Sequence, residues 1–334
     1  MKRWVWLAIT LLPLSVAACT ATGERDPEST GEAPAMTGIP NFHAEWNYQD
    51  PAASEARFRA LVDSPPEGTT EDGRLAVQTQ VARALGLQKR FDEAHAVLDT
   101  IDAALTDATP VARICALLER GRAFRSSGSP EKGRPLFLEA WEWGQSNRAL
   151  DDYVVDAAHM MALVEPAEAK LAWNLKAMEW AESSSVPRAR NWLGALYNNI
   201  GWDYHEQKKY AEALETHRKG WEWHQARDRE RGGEPSRGSL IAKWSVAKQL
   251  RCLGQLDEAL VLQHELAKAW AERGEPDGFV SEEIAECLHA QGKHQEARPH
   301  FAKAAEELAK IGWVADSEPE RVERLRRLGA GEGE

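Results

Sequence analysis

The fold follows from residues 197–213, which read YNNIGWDYHEQKKYAEA. In this stretch two small residues, Gly201 and Ala213, lie twelve positions apart. Pairs of the same kind recur along the chain: Ala82 and Ala94, Gly121 and Gly133, Ala247 and Ala259, and Ala285 and Ala297. Small residues at this distance allow two antiparallel helices to approach closely where they cross. The pattern therefore predicts an array of helical hairpins.

Residues 197–223 resemble the tetratricopeptide repeat, whose pattern is an aromatic residue, an apolar residue followed by glycine, a second aromatic residue and a downstream alanine. The matching residues are Tyr197, Ile200, Gly201, Tyr204 and Ala213. His217 and Gly220 depart from the family, which prefers a large apolar residue and an alanine there, so the second helix is atypical. Further repeats align at 75–105, 114–144, 151–181, 240–271 and 278–308. The repeat at 151–181 is the weakest, because Lys170 stands twelve residues after Ala158.

The resemblance covers about two thirds of the chain and implies an all-α fold, a right-handed superhelical solenoid of antiparallel helical hairpins. We expect about six repeats with a capping helix at each end, because terminal hairpins need a polar outer face. The turn positions lie 37–46 residues apart. That spacing exceeds the family's usual period and predicts longer helices or loops.

A tryptophan-bearing segment also recurs, just downstream of three of the turns. It reads AWEW at 140–143, AMEW at 177–180 and GWEW at 220–223, and Trp270 follows at a similar place in the next repeat. Indole rings bury a large apolar area, so we expect them to pack one hairpin on the next. The alternative is that some of these rings form a stacking surface for a ligand.

The N-terminus resembles a bacterial lipoprotein signal. Lys2 and Arg3 precede an apolar run at 4–16 that is too short for an ordinary transmembrane helix, and Val16-Ala17-Ala18-Cys19 follows. The resemblance implies that Cys19 is acylated and becomes the new N-terminus. The alternative is an ordinary secretory signal. Thr20 stands after the cysteine, where the resembling proteins use Asp for retention in the inner membrane, so we expect the outer membrane, with the protein facing the periplasm, in an organism with two membranes.

Composition divides the chain into five predicted segments. Residues 20–40 are rich in Thr, Gly, Glu, Pro and Ala, which is typical of a flexible tether. Near the C-terminus, Val322, Leu325 and Leu328 lie three residues apart and predict a capping helix. The segments are a lipoprotein signal peptide (1–19), a disordered tether (20–45), an N-terminal capping helix region (46–74), the repeat array (75–315), and a C-terminal capping helix and tail (316–334).

The charge and the cysteines restrict the partners and the redox chemistry. The formal charge is −12, and it becomes −14 when the two cations of residues 1–19 are removed, because that stretch contains no Asp or Glu. An acidic chain argues against nucleic acid and against general affinity for anionic lipid. Cys115, Cys252 and Cys287 have neither CxxC nor metal-type spacing, so we expect buried thiols. A bridge between Cys252 and Cys287 remains open.

The sequence contains no HExxH motif, no phosphate-binding Gly-rich loop and no GxSxG motif. His217 and His224 lie seven residues apart, too far for chelation from adjacent turns. We interpret these and the histidines at 289, 294 and 300 as surface residues. No cofactor, metal site or enzymatic activity is expected.

In the repeats that this chain resembles, the first helix of each hairpin lines a concave groove. Alignment places these residues on it: Arg83, Arg122, Arg125, His159, Asn198, Trp202, His205, Trp244, Lys248, Arg251, Glu286 and His289. Arg and Lys bind carboxylates, and Trp faces stack on side chains or sugars. We therefore expect a peptide or protein segment with a carboxylate across repeats two to five. The alternative is that these are ordinary solvated or inter-repeat contacts.

The favoured function is a lipid-anchored scaffold that binds a peptide or protein partner in the cell envelope, with the N-terminal lipid as its only membrane contact. One alternative is a small-ligand or enzymatic role on cell-wall peptides or glycans in the same groove, which predicts a closed cleft rather than an open groove. Another is a structural subunit of a larger envelope assembly, which predicts an exposed apolar patch. The sequence leaves the partner and the oligomeric state open.

Overall fold

The computed structural model describes residues 38–332 and divides into two compact units, with the boundary between Asn199 and Ile200. The predicted signal peptide, Cys19 and the tether up to residue 37 lie outside the described residues. Within 38–332 the regular structure is helical throughout. None of these helices is both long and apolar enough to cross a bilayer.

Unit 1 begins with a 3₁₀ helix (Phe42–Glu45) and a single α-helix, and hairpins follow. Its helices are α1 (Pro51–Asp63), α2 (Glu71–Leu87), α3 (Phe91–Asp102), α4 (Pro110–Ser126), α5 (Pro130–Gly144), α6 (Asp151–Val164), α7 (Ala167–Ser183) and the short α8 (Pro187–Asn191), with a 3₁₀ turn at Arg148–Leu150 before α6. Helix α9 (Leu193–Glu206) contains the boundary between the units. The pairs α2–α3, α4–α5 and α6–α7 are antiparallel hairpins that pack side by side.

Unit 2 is also built of helical hairpins. Its helices after α9 are α10 (Tyr210–Glu230), α11 (Arg237–Cys252), α12 (Leu256–Glu272), α13 (Gly278–Ala290), α14 (His294–Leu308), α15 (Gly312–Ser317) and α16 (Pro319–Ala330). Val322 and Leu325 of α16 are buried in the core of unit 2, on the face that their spacing predicts. The prediction of an all-α array of antiparallel helical hairpins is confirmed.

The small residues twelve apart lie at the helix crossings. A Cβ placed on Gly133 would lie 2.7 Å from the carbonyl oxygen of Gly121, and one placed on Gly121 would lie 2.4 Å from the Phe137 ring. The alanines of the other pairs are buried: Ala82, Ala94, Ala213, Ala247, Ala259, Ala285 and Ala297. Close approach of the helices therefore requires a small side chain at these positions.

His217 corrects one expectation. Its side chain is buried, at 2% exposure, rather than on the surface. The ring fills the space above Gly201, where a Cβ would meet it at 2.4 Å. A histidine thus occupies the position at which the resembling repeats place a large apolar residue, because the crossing needs that volume.

The tryptophan and cysteine expectations have different outcomes. Trp141 of α5 makes edge-to-face contacts with Trp173 and Trp180 of α7, at 5.8 and 5.6 Å between ring centroids, so these rings do pack successive hairpins together.

Cys115 and Cys287 are buried, Cys252 is half-buried, and all three are free thiols. The bridge between Cys252 and Cys287 is therefore not formed.

Folded structure begins earlier than the predicted end of the tether at residue 45. Residues 42–45 form the 3₁₀ helix, and Phe42 is buried at 1% exposure. Asp50 then caps α1 by accepting a hydrogen bond from the backbone N–H of Ala53, at 2.9 Å. The composition of 20–40 does not extend to 41–50, where aromatic side chains find partners in the hairpins.

Candidate functional site

The first helix of each hairpin is called an inner helix below, and the second is called an outer helix. The inner helices are α2, α4 and α6 in unit 1, and residues 200–206 of α9, α11 and α13 in unit 2. Side-chain contacts link successive inner helices. In unit 1 the Asp72 carboxylate of α2 accepts hydrogen bonds from the first backbone N–H groups of α4, at Val111 and Ala112, 3.2 and 2.8 Å away. An anion at a helix N-terminus is stabilising, so this contact fixes α4 beside α2.

Arg122 is the centre of an ion-pair network on the inner helices of unit 1. Its guanidinium donates to Glu119 at 2.6 Å and also pairs with Asp156 of α6, while Arg83 of α2 donates to the same Glu119 at 3.2 Å. Burial acts to lower the pKa of Arg122, but the carboxylates of Asp156 and Glu119 more than reverse this effect. Arg122 is thus already paired within the protein.

Arg125, one turn further along α4, differs from Arg122. Its half-buried guanidinium has no hydrogen-bond or ion-pair partner within residues 38–332. Burial and the neighbouring positive charge of Arg122 both lower the pKa of Arg125. A cation in this position is stabilised by an added anion.

His159 lies on the inner helix α6, and Asn198 lies on the part of α9 that belongs to unit 1. Burial lowers the pKa of His159 to about 4, so the imidazole is neutral at pH 7. Its Nδ1 is 3.4 Å from the amide nitrogen of Asn199, and its ring packs 5.4 Å from that of Trp192. Asn198 is half-buried on α9.

A segment that we call the strap, residues 41–50, lies against the inner helix α2 and against α8. The Trp46 indole N–H donates to the side-chain oxygen of Gln80 on α2, at 3.1 Å. The Arg83 guanidinium lies over the Trp46 and Tyr48 rings, 5.6 and 5.8 Å from their centroids. His43 contacts Arg188 of α8 through its ring nitrogen. The sequence did not predict these contacts, although the aromatics of the strap, the first after residue 19, are a signal that could have raised them.

Unit 2 carries a row of aromatic rings on its inner helices and on α15. Ring centroids are 6.0 Å apart from Trp202 to Trp244, 6.2 Å from Trp244 to Phe279, and 6.2 Å from Phe279 to Trp313. The Trp244 N–H donates to the backbone oxygen of Phe279 at 3.3 Å, which fixes its orientation. Trp202, Trp244 and Phe279 are half-buried and Trp313 is 38% exposed. These four residues are called the aromatic row below.

His205 extends this row at its N-terminal end. Its ring lies 5.0 Å from Trp202 and 5.3 Å from Tyr210, and its Nδ1 is 2.8 Å from the side-chain oxygen of Gln249. Burial is the main cause that lowers the pKa of His205, with Lys248 acting in the same direction. The predicted residues Trp202, His205 and Trp244 are therefore together on one face.

Lys248 and Arg251, predicted to bind a ligand carboxylate, hold a carboxylate of the protein. Lys248 Nζ lies 2.6 Å from Glu283 Oε1, and Arg251 Nε lies 2.6 Å from Glu283 Oε2. The Glu283 side chain is only 2% exposed. Burial acts to raise its pKa, but the two cations prevail and lower it to about 2. Ligand binding by Lys248 and Arg251 stays a prediction.

The remaining predicted groove residues are also engaged. Glu286 pairs with Arg324 of α16 at 2.5 Å, and His289 lies against His294, with ring centroids 4.5 Å apart. Two open depressions of about 610 and 570 Å³ lie in unit 2. The first is lined mainly by α10, and the second by residues of α11–α14, including Phe279 of the aromatic row. Within 38–332 no group of three or more His, Cys, Asp and Glu side chains is placed to hold a metal ion.

Comparison with known proteins identifies one segment of the chain that matches a family model. Residues 193–224, which form α9 and the first part of α10, match the family model described as tetratricopeptide repeat. No curated protein matches the chain. The segment that matches contains the residues on which the sequence resemblance rests.

Solved structures to which the chain is similar include three of low sequence identity. A tetratricopeptide repeat protein from Parabacteroides merdae is 15% identical, over 84% of this chain and 93% of that chain, with a TM-score of 0.45. NprR in complex with its cognate peptide NprX is 14% identical, over 85% and 79%, with a TM-score of 0.43. The apo form of RapI is 13% identical, over 76% and 96%, with a TM-score of 0.42.

Proposed function

We propose that this chain is a lipid-anchored scaffold of the cell envelope that binds a peptide or protein segment along its inner helices. The observation that carries the proposal is the aromatic row of unit 2. Its four rings stand 6.0–6.2 Å apart and are at least partly exposed. A surface of this kind offers apolar contact together with fixed polar groups, which is the composition of a recognition site.

The spacing of the rings favours an extended peptide. Alternate side chains of an extended strand lie on the same side, about 6.6 Å apart. The ring spacing in the row, 6.0–6.2 Å, is close to this value. Every second side chain of such a peptide can therefore meet a new ring.

The ion pairs of Glu283 determine how the cations contribute. With its pKa lowered to about 2, Glu283 stays ionised at neutral pH and keeps Lys248 and Arg251 paired. A ligand carboxylate has to compete with it for the same donors. We therefore assign the main recognition to the aromatic row and a secondary role to the two cations.

The test is crosslinking and capture from intact cells with three forms of the chain. These are the unaltered chain, the double variant Trp202→Ala/Trp244→Ala, and Trp223→Ala as the control on an outer helix. We expect one or more crosslinked proteins to be lost from the double variant and kept by the control, with helicity by circular dichroism unchanged in both. Identical capture by all three forms would remove the support for peptide recognition by the row.

The membrane part of the proposal rests on Val16-Ala17-Ala18-Cys19. We propose that Cys19 carries the lipid and that the rest of the chain faces the periplasm in an organism with two membranes. Metabolic labelling with an alkyne fatty acid should label the chain and fail on Cys19→Ser. Equal labelling of both would refute the anchor, and it would leave the binding proposal to the crosslinking experiment.

A further inference from the structure

The strap lies against Arg83, one of the residues that the sequence places on the groove of unit 1. It reaches from α2, where Trp46 is hydrogen-bonded to Gln80, to α8, where His43 contacts Arg188. The Arg83 guanidinium covers both Trp46 and Tyr48. This short segment thus contacts residues that lie 34 and 145 positions further along the chain. The inner face of unit 1 is therefore already shown to accommodate a peptide, namely its own.

The strap satisfies only part of this surface. Neither of its two acidic residues pairs with a cation of the inner helices: Asp50 caps α1, and Glu45 forms no ion pair within residues 38–332. Arg125 is left without an anionic partner, whereas Arg122 beside it is fully paired with Glu119 and Asp156. A ligand that repeats the aromatic contacts of the strap and adds a carboxylate would satisfy the surface more completely.

The strap is also held unevenly. At one end Asn47 is fixed to α1, because its backbone N–H and C=O both bond to the buried Ser54 hydroxyl, at 2.8 and 3.0 Å. Most other strap residues are exposed, Tyr48 at 37%, and the only helix is a single 3₁₀ turn. Phe42, by contrast, is buried at 1% exposure. The exchangeable part is therefore residues 46–48, whose contacts with α2 are the Trp46 hydrogen bond and the two cation–π contacts of Arg83.

We propose that the inner face of unit 1 is a peptide site whose built-in occupant is the strap, and that its external partner is a peptide with an aromatic–X–aromatic motif and an acidic residue that pairs with Arg125. The strap then acts as an internal competitor, so that only a ligand with the additional carboxylate displaces it. This inference rests on the proposed function, since it takes the inner helices to be peptide-binding surfaces.

The experiment uses the purified full chain and a fluorescein-labelled synthetic peptide of residues 41–50, NFHAEWNYQD, with fluorescence anisotropy as the readout. The variant Trp46→Ala/Tyr48→Ala removes the aromatic contacts of the internal strap. The control is Trp223→Ala, which removes a ring of the outer helix α10 in unit 2. We expect the peptide to bind the strap variant at least about tenfold more tightly than the unaltered chain and the control, a difference of roughly 1.4 kcal/mol.

Equal affinity for all three forms, or no binding to any of them, would overturn the proposal. If the double variant loses helicity, Tyr48→Ala alone repeats the test, because that ring is already partly exposed. The anisotropy readout compares forms that differ in the strap of unit 1. Its failure therefore leaves the capture experiment on the aromatic row of unit 2 standing, and the two proposals fail separately.

The acidic residue is tested with four further peptides, in which glutamate replaces Asn41, Ala44, Asn47 or Gln49. We expect at least one of them to bind the strap variant about tenfold more tightly than the original peptide, since a charge-assisted pair with Arg125 is gained. That gain should vanish when the strap variant also carries Arg125→Gln. The absence of a gain in every peptide, or a gain that persists with Arg125→Gln, would refute the role of Arg125.

Discussion

Glu283→Gln should destabilise unit 2 by about 3 kcal/mol at pH 7. The magnitude follows from the pKa of Glu283, which falls from an ordinary value of 4.5 to about 2, at about 1.4 kcal/mol per pKa unit. The glutamine keeps the shape of the side chain and removes the charge that Lys248 and Arg251 require. Because both cations are at least three-quarters buried, little of this loss is screened by solvent.

The same pKa predicts the pH dependence. A carboxyl with a depressed folded-state pKa contributes its full stability above the unfolded-state value, here 4.5, and the contribution is lost as the pH falls through about 2. The difference between the chain and Glu283→Gln should therefore be constant above pH 5 and shrink between pH 4.5 and 2. The assay is urea unfolding followed by far-UV circular dichroism at a series of pH values.

A matched control is Glu215→Gln, since Glu215 pairs with Lys219 at 2.8 Å on the exposed side of α10. Exposed pairs of this kind contribute little, so no measurable change is expected. The reasoning about Glu283 would be refuted by a loss below about 1 kcal/mol, or by a loss equal to that of the control. If the difference in unfolding free energy between the unaltered chain and Glu283→Gln stayed constant between pH 4.5 and 2, the pH argument would be contradicted.

Three further predictions concern the helix crossings and the buried groups. Gly133→Ala places a Cβ 2.7 Å from a backbone oxygen and should lower the free energy of unfolding by about 2 kcal/mol. Gly86→Ala, whose Cβ meets nothing within 4 Å, should raise it by up to about 1 kcal/mol. The reverse order in urea unfolding would contradict the close helix crossing at Gly133. Burial lowers the pKa of His217 to about 3, so the stability that it contributes as a neutral ring is lost as the pH falls below 6.5. His217→Leu should therefore abolish this dependence of the unfolding free energy on pH between 6.5 and 3. An unchanged pH profile in the variant would argue against a buried ring. In the native chain a thiol reagent should modify the half-buried Cys252 first and reach the buried Cys115 only after unfolding, and equal rates by mass spectrometry would disagree with their burial.

The hairpins could be predicted from the sequence because helix crossing imposes a local requirement. Gly121 and Gly133 face each other across one turn, and the contact that excludes a larger side chain lies within a single repeat. The position of His217 follows the same rule, but an imidazole in place of an apolar residue was interpreted as exposed. The only sequence feature that indicates its burial is Gly201, whose missing side chain leaves the space that the His217 ring fills.

The partners of the site residues could not be predicted in the same way, because they lie about one repeat away. Arg122 pairs with Asp156, 34 residues on, and Lys248 pairs with Glu283, 35 residues on. An acidic residue one repeat period after a predicted groove cation is a signal that would have identified these pairs. The strap has no such period, and its contact with Arg188 spans 145 residues.

The most direct measurement places a photocrosslinking residue on the proposed binding surface in cells. Trp244→p-benzoylphenylalanine puts the probe in the aromatic row, and Trp223→p-benzoylphenylalanine puts it on the outer helix α10. The account predicts light-dependent adducts from position 244 whose crosslinked peptide, by mass spectrometry, is a single segment of a partner protein, and none of that segment from position 223. Adducts to the same segment from both positions, or from position 223 alone, would contradict the assignment of the inner helices as the binding surface.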